Sequence, residues 1–375
     1  MSFLLCFFCA MPAAFGQTSS FDGQASGWIT FTPGNSLVSQ TGLRYIPELT
    51  LEQKFHDNLS AEMDLSLNDF ITEDFSKSQR PEYDGEIKPY RASLRLASDE
   101  FELRAGLQKI SFGTATLFRP LMWFDKVDPR DPLQLTDGVY GLLARYYFLT
   151  NANIWLWGLY GNNDTKGWEI APTQKKSIEY GGRLQWPLLS GEAGLSYHYR
   201  EADLSTVTGI PADTGGHSVP ENRLGLDGKW DIGIGVWFEA VIIHEQTEIP
   251  GMTYQRQWTL GADYTFDIGN GLTALTEYFR DEYPISVFGR AVGLGFSGLS
   301  LNYPLGTLDR ISAILYRDWT DHDWYRLLTL QRTYDNWIIY LLGFWNPDII
   351  QLYQTQGSSS LFAGTGIQLM IVFNH

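Results

Sequence analysis

The chain has 375 residues, of which 44% are hydrophobic and 15% aromatic, and its formal net charge is −16. The mean hydropathy of −0.18 excludes a bundle of membrane helices, since each such helix needs about 20 consecutive apolar residues. The negative charge argues against a nucleic-acid-binding protein, because the phosphates would be repelled.

Residues 1–16 are predicted to be a signal peptide. The apolar run from Phe3 to Ala10 is too short to span a membrane, and the small residues that follow it fit cleavage after Gly16. The segment lacks the usual basic residue near Met1, which a misassigned start codon would explain, and a buried N-terminal helix is the alternative. Cys6 and Cys9 both lie here, so the mature chain, residues 17–375, would have no disulfide and no thiolate metal site.

From Asp22 onward, segments of about ten residues alternate apolar with polar side chains. In residues 59–67 the two sets are Ala61, Met63, Leu65 and Leu67 against Glu62, Asp64 and Ser66. Successive side chains of a strand point to opposite faces, so this pattern predicts one apolar and one polar face. A soluble β-sandwich would also bury the apolar face, and the connections distinguish the two folds.

The connections alternate between tight turns and longer polar stretches, such as 73–86, 112–137, 162–176 and 203–220. Short turns at one end and long loops at the other are typical of outer-membrane barrels. The chain is therefore predicted to be an all-β protein, a transmembrane antiparallel up-and-down meander β-barrel with about 18 strands. Sixteen strands is the alternative, because the alternation is blurred between Gly289 and Trp345. The predicted strands are 23–32, 41–55, 59–70, 87–98, 100–111, 137–149, 153–161, 177–188, 191–202, 221–231, 233–246, 254–266, 271–282, 289–303, 308–319, 324–334, 336–345 and 361–373.

Aromatic residues near the strand ends predict the two girdles that such barrels place at the lipid headgroups. They include Tyr146, Phe148, Trp155, Trp157, Tyr264, Phe266 and Trp337. The C-terminal alternation of Ile367, Leu369, Ile371 and Phe373 resembles the closing strand of outer-membrane proteins, although Phe373 stands third from the end. The resemblance implies the barrel-insertion machinery as a partner. Outer-membrane lipid would surround the barrel, and acidic external loops would engage divalent cations on a lipopolysaccharide surface.

The predicted inner face carries many ionisable residues, among them Arg91, Arg95, Arg104, Arg145, Arg183 and Arg223. One interpretation is a transverse field or a ladder of arginines that selects solutes by charge. The other is a set of arginine–carboxylate bridges that keep a wide barrel in shape. The sequence does not decide between them.

Residues 112–137 are predicted to fold inward as a constriction loop, because the segment is too apolar and too rich in proline for a solvated loop. Folding inward would bury residues 121–124 against the wall. It would present the following charged residues to the pore: Arg119, Asp125, Asp128, Arg130 and Asp131. An external lid is the alternative.

The junction between the fifth predicted strand and this loop resembles that of alginate-export-type and related substrate-specific porins. The resemblance rests on Arg104, Gln108 and Gly113, the Asp-Pro-rich loop and the Thr136–Gly138 segment, about 35 residues in all. It implies an 18-stranded barrel that passes an anionic or polar solute, with Arg104 and Gln108 on the lumen side.

The predicted function is passive diffusion of small polar or charged solutes through an integral outer-membrane channel. No enzymatic activity, cofactor or metal is expected, since His198, His217, His244 and His322 fall in no arrangement typical of barrel phospholipases or proteases. Two alternatives stay open. One is a polysaccharide-binding surface built on Trp168, Trp319 and Trp324, and the other is a scaffold barrel around a periplasmic partner. A homo-oligomer is compatible with the sequence, which does not define the oligomeric state.

Overall fold

The computed structural model describes residues 17–33, 37–56, 58–76, 80–207, 218–247, 253–347 and 362–375. The predicted signal peptide, residues 1–16, lies outside the described residues. The described part of the chain forms 18 β-strands and one short 3₁₀ turn at Leu204–Thr206.

The strands follow one another along the chain. They are β1 (Gln17–Phe31), β2 (Leu37–His56), β3 (Leu59–Ser76), β4 (Glu82–Ser98), β5 (Phe101–Gln108), β6 (Val139–Tyr147), β7 (Asn153–Tyr160), β8 (Ile178–Leu188), β9 (Gly191–Asp203), β10 (Ser218–Asp231), β11 (Gly235–Glu245), β12 (Tyr254–Phe266), β13 (Leu272–Pro284), β14 (Ala291–Pro304), β15 (Asp309–Asp318), β16 (Trp324–Thr333), β17 (Trp337–Trp345) and β18 (Thr365–Asn374).

Each strand pairs antiparallel with its neighbours in the chain, and β1 pairs with β18. In that closing pair, Gln24 lies opposite Asn374 and Phe31 lies opposite Ile367. The sheet is therefore a closed barrel with no free edge, as a lipid environment requires. The predicted meander is confirmed, with 18 strands and not 16. Among the described residues, no helix has the length and apolar character needed to cross a membrane.

The two faces of the wall differ as the alternation predicts. On β11 and β13 the side chains of Glu239 and Glu277 point inward and are 0% and 1% exposed. Leu43, Leu156 and Leu260 point outward and are 64%, 60% and 55% exposed. Apolar side chains exposed all round a closed barrel are stable in contact with acyl chains, so the outer surface fits a bilayer.

The structure corrects two features of the predicted wall. The stretch 73–86 is not a long loop, because β3 extends to Ser76 and β4 begins at Glu82. Asp74 lies opposite Glu82 in this strand pair. Apart from Phe75 and Tyr83, these strand ends carry polar residues and glycine, as suits a hairpin that extends past the bilayer into water. Trp155 and Trp157 do not belong to a girdle, because they pack inside the barrel against Phe112.

Candidate functional site

The connection between β5 and β6, residues 109–138, runs into the barrel interior. Its apolar side chains cross the lumen and pack on both sides of it. Near β6 and β7, Phe112 and Phe124 pack with Leu143 and Leu159 of the wall. On the other side, Phe118 packs with the following inner-face residues of β13 to β15: Phe279, Phe296 and Tyr316. Exposure of these apolar side chains to water would be unfavourable. Their burial against the wall therefore holds the segment inside the barrel.

Two wall carboxylates bind the backbone of this segment, which we call the inner loop. The Oε1 atom of Glu239 accepts the N–H groups of Thr114 at 2.6 Å and Ala115 at 2.7 Å. Its Oε2 atom accepts the N–H group of Leu121 at 2.9 Å. One side chain of β11 therefore satisfies three loop donors that no strand neighbour could reach.

Glu277 of β13 binds the next part of the inner loop. Its Oε1 atom accepts the N–H of Thr116 at 2.7 Å, and its Oε2 atom accepts those of Leu117 at 2.9 Å and Phe118 at 2.7 Å. The indole N–H of Trp237 donates to Oε1 at 3.0 Å. Hydrogen bonds to an ionised acceptor are about twice as strong as neutral ones, so these contacts fix the loop across the lumen.

The connection between β7 and β8, residues 161–177, also folds inward and covers the inner loop. The indole N–H of Trp168 donates to the carbonyl of Arg119 at 2.9 Å, and the N–H of Gly167 donates to the carbonyl of Asp125 at 3.0 Å. Gly167 has φ +49°, and a Cβ atom there would stand 1.7 Å from the carbonyl oxygen of Met122. Sequence reasoning missed this second loop. The one signal for it is the mixture of Trp168 and Ile170 with charged neighbours.

Beneath these two loops the inner-face arginines are buried in ion pairs. Arg223 binds Glu169 at 2.7 Å and Glu221 at 2.6 Å, and Arg200 binds Glu221 at 2.7 Å. Arg183 binds Asp227 at 2.6 Å. The side chains of Arg183 and Arg223 are 3% exposed. Both side chains point to the inside of the barrel, but the loops cover them, so neither lines open space.

His198 lies in the same covered region. Its Nδ1 atom accepts the indole N–H of Trp157 at 3.1 Å, and its Nε2 atom lies 3.2 Å from Glu179, which also pairs with Lys166 at 2.9 Å. The His198 side chain is 0% exposed, so no solute reaches it. Among the described residues, no group of three or more His, Cys, Asp or Glu side chains is placed to hold a metal ion.

An open cavity of about 500 Å³ remains between the inner loop, residues 161–166 of the second inward connection and the wall formed by β2, β3, β4 and the start of β6. Its basic lining residues include Arg44, Lys88 and Lys126, and its acidic ones include Asp131 and Asp137. Arg44 stands between the rings of Trp28 at 5.3 Å and Phe70 at 5.5 Å. Arg44 is not among the site residues predicted from the sequence.

Three of the predicted site arginines converge on one carboxylate near the short-turn end of the barrel. Arg95, Arg145 and Arg104 lie 2.9, 3.2 and 3.6 Å from the oxygens of Glu102. Their side chains are between 16% and 30% exposed, so they face open space more than Arg183 does.

The two remaining wall residues of the predicted set bind backbone atoms. Arg91 donates to the carbonyl of Thr136 at 3.0 Å, at the end of the inner loop. Gln108 is buried and donates to the carbonyls of Arg104 and Gly141 at 3.2 and 3.0 Å. Gln108 therefore joins β5 to β6 and is closed off from the lumen.

The predicted loop charges are mostly paired within the loop. Arg119 binds Asp125 at 3.0 Å, and Arg130 binds Asp128 at 2.7 Å. Asp131 accepts the N–H of Leu133 at 3.0 Å. Burial raises the pKa of Asp131, against the opposing effects of that hydrogen bond and of Arg44. Burial likewise lowers the pKa of Lys126.

A closed meander of 18 antiparallel strands with a lipid-compatible surface, polar inner face and inward loop defines a porin-like outer-membrane β-barrel. The protein is an integral outer-membrane protein. Solved porin structures share this fold over nearly the whole chain. OccAB4 of Acinetobacter baumannii aligns with a TM-score of 0.58 at 10% identity, over 96% of this chain and 98% of that one.

Two further structures extend the comparison. OccAB1 of Acinetobacter baumannii aligns with a TM-score of 0.55 at 9% identity, over 96% of this chain and 95% of that one. The OmpF of Salmonella typhi, solved in complex with daunomycin, aligns with a TM-score of 0.50 at 11% identity, over 95% and 97% of the two chains. No protein-family model and no curated protein matches the sequence. At these identities the likeness concerns the fold.

Proposed function

We propose that the protein is a passive, non-enzymatic channel for small polar or charged solutes, with the inner loop as its constriction. The observation that carries the proposal is the course of residues 109–138 across the lumen, anchored on Glu239 and Glu277, beside a cavity that stays open. A loop that narrows but does not fill a barrel limits the size of what diffuses through it.

Charges of both signs line that cavity. On the wall, Arg44 of β2 forms no ion pair within 4.0 Å among the described residues, and Lys88 of β4 is half-buried. On the loop side stand Asp131 and Asp137, the latter 2.7 Å from Lys88. A pore lined by opposite charges on opposite sides orients dipolar solutes and disfavours apolar ones. Transport of small polar or charged solutes therefore suits this opening better than transport of apolar compounds.

The two interpretations of the inner-face arginines apply to different parts of the barrel. Beneath the loops, the bridges of Arg183, Arg200 and Arg223 brace the wall and the loops. A transverse electric field would act on the open side of the lumen, near β2 to β5. The proposed selective residues are therefore Arg44 and Arg91, beside the acidic end of the inner loop, and Arg95, Arg104 and Arg145, which surround Glu102 near the short-turn end.

The alternatives have less support. A scaffold barrel needs an interior wide enough for a protein partner, and here two loops occupy it. A polysaccharide-binding surface was predicted to use Trp168, but that ring stacks on Phe279 at 4.8 Å inside the barrel. Trp319 and Trp324 are 51% and 44% exposed and remain available. Assembly into homo-oligomers and recognition by the barrel-insertion machinery remain predictions.

Conductance in planar bilayers tests the proposal. Purified protein inserted into a bilayer should give discrete conductance steps with measurable charge selectivity. An inserted and folded barrel that conducts no ions would contradict the channel and favour the binding surface. A gluconate-for-chloride exchange in the same bilayer tests whether the opening passes a small organic anion.

A further inference from the structure

The open cavity beside the inner loop is balanced in charge. In the described part of the chain, four basic and four acidic residues line it. Among them, Lys88 and Asp137 lie 2.7 Å apart and neutralise each other. A solute ion that enters this cavity gives up part of its hydration shell without meeting an excess of opposite charge, which is unfavourable. The lining therefore gives neither anions nor cations a net electrostatic advantage.

Arg44 presents hydrogen-bond donors to this cavity. The rings of Trp28 and Phe70 lie 5.3 and 5.5 Å from its guanidinium and orient it by cation–π contacts. Such contacts use none of the five N–H donors that a guanidinium carries. The Nε–H group donates to no residue that the structure describes. Arg44 is therefore held in place with donors left for a solute oxygen.

Asn68 of β3 adds an acceptor to the same cavity. It lies two residues before Phe70, which faces Arg44 in the strand pair, and opposite Lys88 of β4. Asn68 is 5% exposed, and its Oδ1 atom accepts no hydrogen bond from the described residues. Buried polar atoms nearly always have a partner, since an unsatisfied one is costly. A donor of Arg44 and an acceptor of Asn68 thus stand near each other without protein partners.

A hydroxyl group matches this combination better than an ion does. It has one O–H donor and two acceptor lone pairs, so it can accept from Arg44 and donate to Asn68. A carboxylate can only accept, and an ammonium group can only donate. The carboxylates of Asp131 and Asp164 line the same cavity and can accept further hydroxyl hydrogens, and the ring of Phe70 offers apolar surface to C–H groups.

We propose that the cavity binds an uncharged solute with several hydroxyl groups, of the size of a monosaccharide or a sugar alcohol. Its volume of about 500 Å³ lies within the range of about 300–1,000 Å³ that is usual for a site holding one small molecule. For the passage of the solute the inference rests on the proposed channel function, whereas binding can be measured without conduction. It narrows the solute class from polar or charged compounds to neutral polyhydroxylated ones.

Saturation-transfer NMR of the full-length barrel, in a detergent without a sugar headgroup, tests the binding. The probes are glucose, glucuronate and glucosamine, which share one ring and differ in charge. Glucose should bind at least about fivefold more tightly than either charged sugar, and Asn68→Leu should lose about fivefold in glucose affinity, as expected for one hydrogen bond. Arg44→Met should lose at least as much. It should also reverse the order in favour of glucosamine, because it leaves one negative charge in excess.

Asn302→Leu is the matched control for Asn68→Leu. Asn302 lies near the short-turn end of β14, on the inner face by alternation from Phe296, and it donates to Ser300 away from the cavity. The variant should keep the glucose affinity of the wild type. Heat-dependent gel mobility confirms that each variant is folded.

Several results would overturn the inference. They are the absence of saturation transfer to glucose, an equal loss of affinity in Asn302→Leu, and tighter binding of glucuronate or glucosamine than of glucose, which would assign the cavity to anions or to cations. Swelling of proteoliposomes in glucose separates the inference from the channel. Swelling without glucose binding would support the channel and contradict the site, whereas glucose binding without swelling would support the site and contradict the channel.

Discussion

The backbone N–H of Phe118 donates to the Glu277 carboxylate at 2.7 Å across the barrel, although 159 residues separate the two in the chain. The ring of Phe118 then stacks on Phe279, two residues further along the same strand, with 5.5 Å between the ring centroids. A polar and an apolar contact on one strand therefore fix the same point of the inner loop. β13 thus complements Glu239 of β11 in fixing the loop.

Replacing Glu277 with alanine should release the inner loop. Three loop N–H groups and the Trp237 indole lose their acceptor. Each unsatisfied buried donor costs about 1–3 kcal/mol, so the free energy of unfolding should fall by about 3 kcal/mol or more. Single-channel conductance should rise, because the loop no longer stays across the lumen.

The matched control for this variant is Asp263→Ala. Asp263 is an inner-face carboxylate at the short-turn end of β12 that forms no ion pair among the described residues. It should leave the conductance close to the wild-type value. Equal conductance in wild type, Glu277→Ala and Asp263→Ala would show that the loop does not constrict the pore.

Phe118→Ala tests the apolar half of the anchor. The side chain is 0% exposed and is surrounded by Phe279, Phe296 and Tyr316. Its truncation should lower the free energy of unfolding by about 3–5 kcal/mol. Phe288→Ala, at a ring that is 90% exposed, should change it by less than about 0.5 kcal/mol. Urea titration of the barrel in lipid vesicles gives both values, and similar values for the two variants would contradict the buried packing.

Asp131 should make ion selectivity depend on pH. Burial raises its pKa above the ordinary value of 3.8, so the carboxylate becomes neutral at a higher pH than a solvent-exposed aspartate. The groups that face it are Arg44 of β2, Asp128 of the same loop and Tyr340 of β17. As the pH falls through the raised pKa, the opening loses a negative charge and its selectivity should shift toward anions.

The same titration affects stability, with a sign fixed by the direction of the shift. A carboxyl whose pKa is higher in the folded protein than in the unfolded chain favours folding when protonated. Its contribution is lost as the pH rises through the folded pKa.

Reversal potentials measured across a pH series, with Asp131→Asn as the reference, test the assignment. A selectivity change of the same size and midpoint in Asp131→Asn would exclude Asp131 as its source.

The barrel was predictable from the sequence because the two-residue alternation acts locally, strand by strand. It fixes which side chains point inward, and the inward placement of Arg104, Arg183 and Glu277 follows from parity alone. The spacing of the turns was enough to predict closure with 18 strands. The apolar content of residues 112–137 was enough to predict their inward course. Strand ends were less certain, as β3 and β4 show, because polar residues outside the bilayer no longer alternate.

The covered and open parts of the lumen could not be predicted. They depend on where the loops lie, and the contacts of Gly167 with Met122 and of Trp168 with Arg119 join segments that no local pattern connects. Arg183 and Arg95 were therefore both predicted to line the pore. Arg183 is covered by the loops, however, whereas the side chain of Arg95 is 30% exposed. The position of a residue along its strand decides which face of the wall its side chain lies on. Tertiary contacts with the loops decide whether that side chain is open to the lumen.

Arg44 and Arg130 offer a direct test of that difference. Arg44 lines the open cavity without an ion pair among the described residues, whereas Arg130 is 4% exposed and is bound to Asp128. Arg44→Gln should shift the reversal potential toward cation selectivity, because it removes a free positive charge from the opening. Arg130→Gln should leave selectivity nearly unchanged and instead lower the free energy of unfolding, since it strips a partly buried carboxylate of its partner. Reversal potentials in a salt gradient and urea titration separate the two effects. A larger selectivity shift in Arg130→Gln than in Arg44→Gln would place the solute path on the other side of the inner loop.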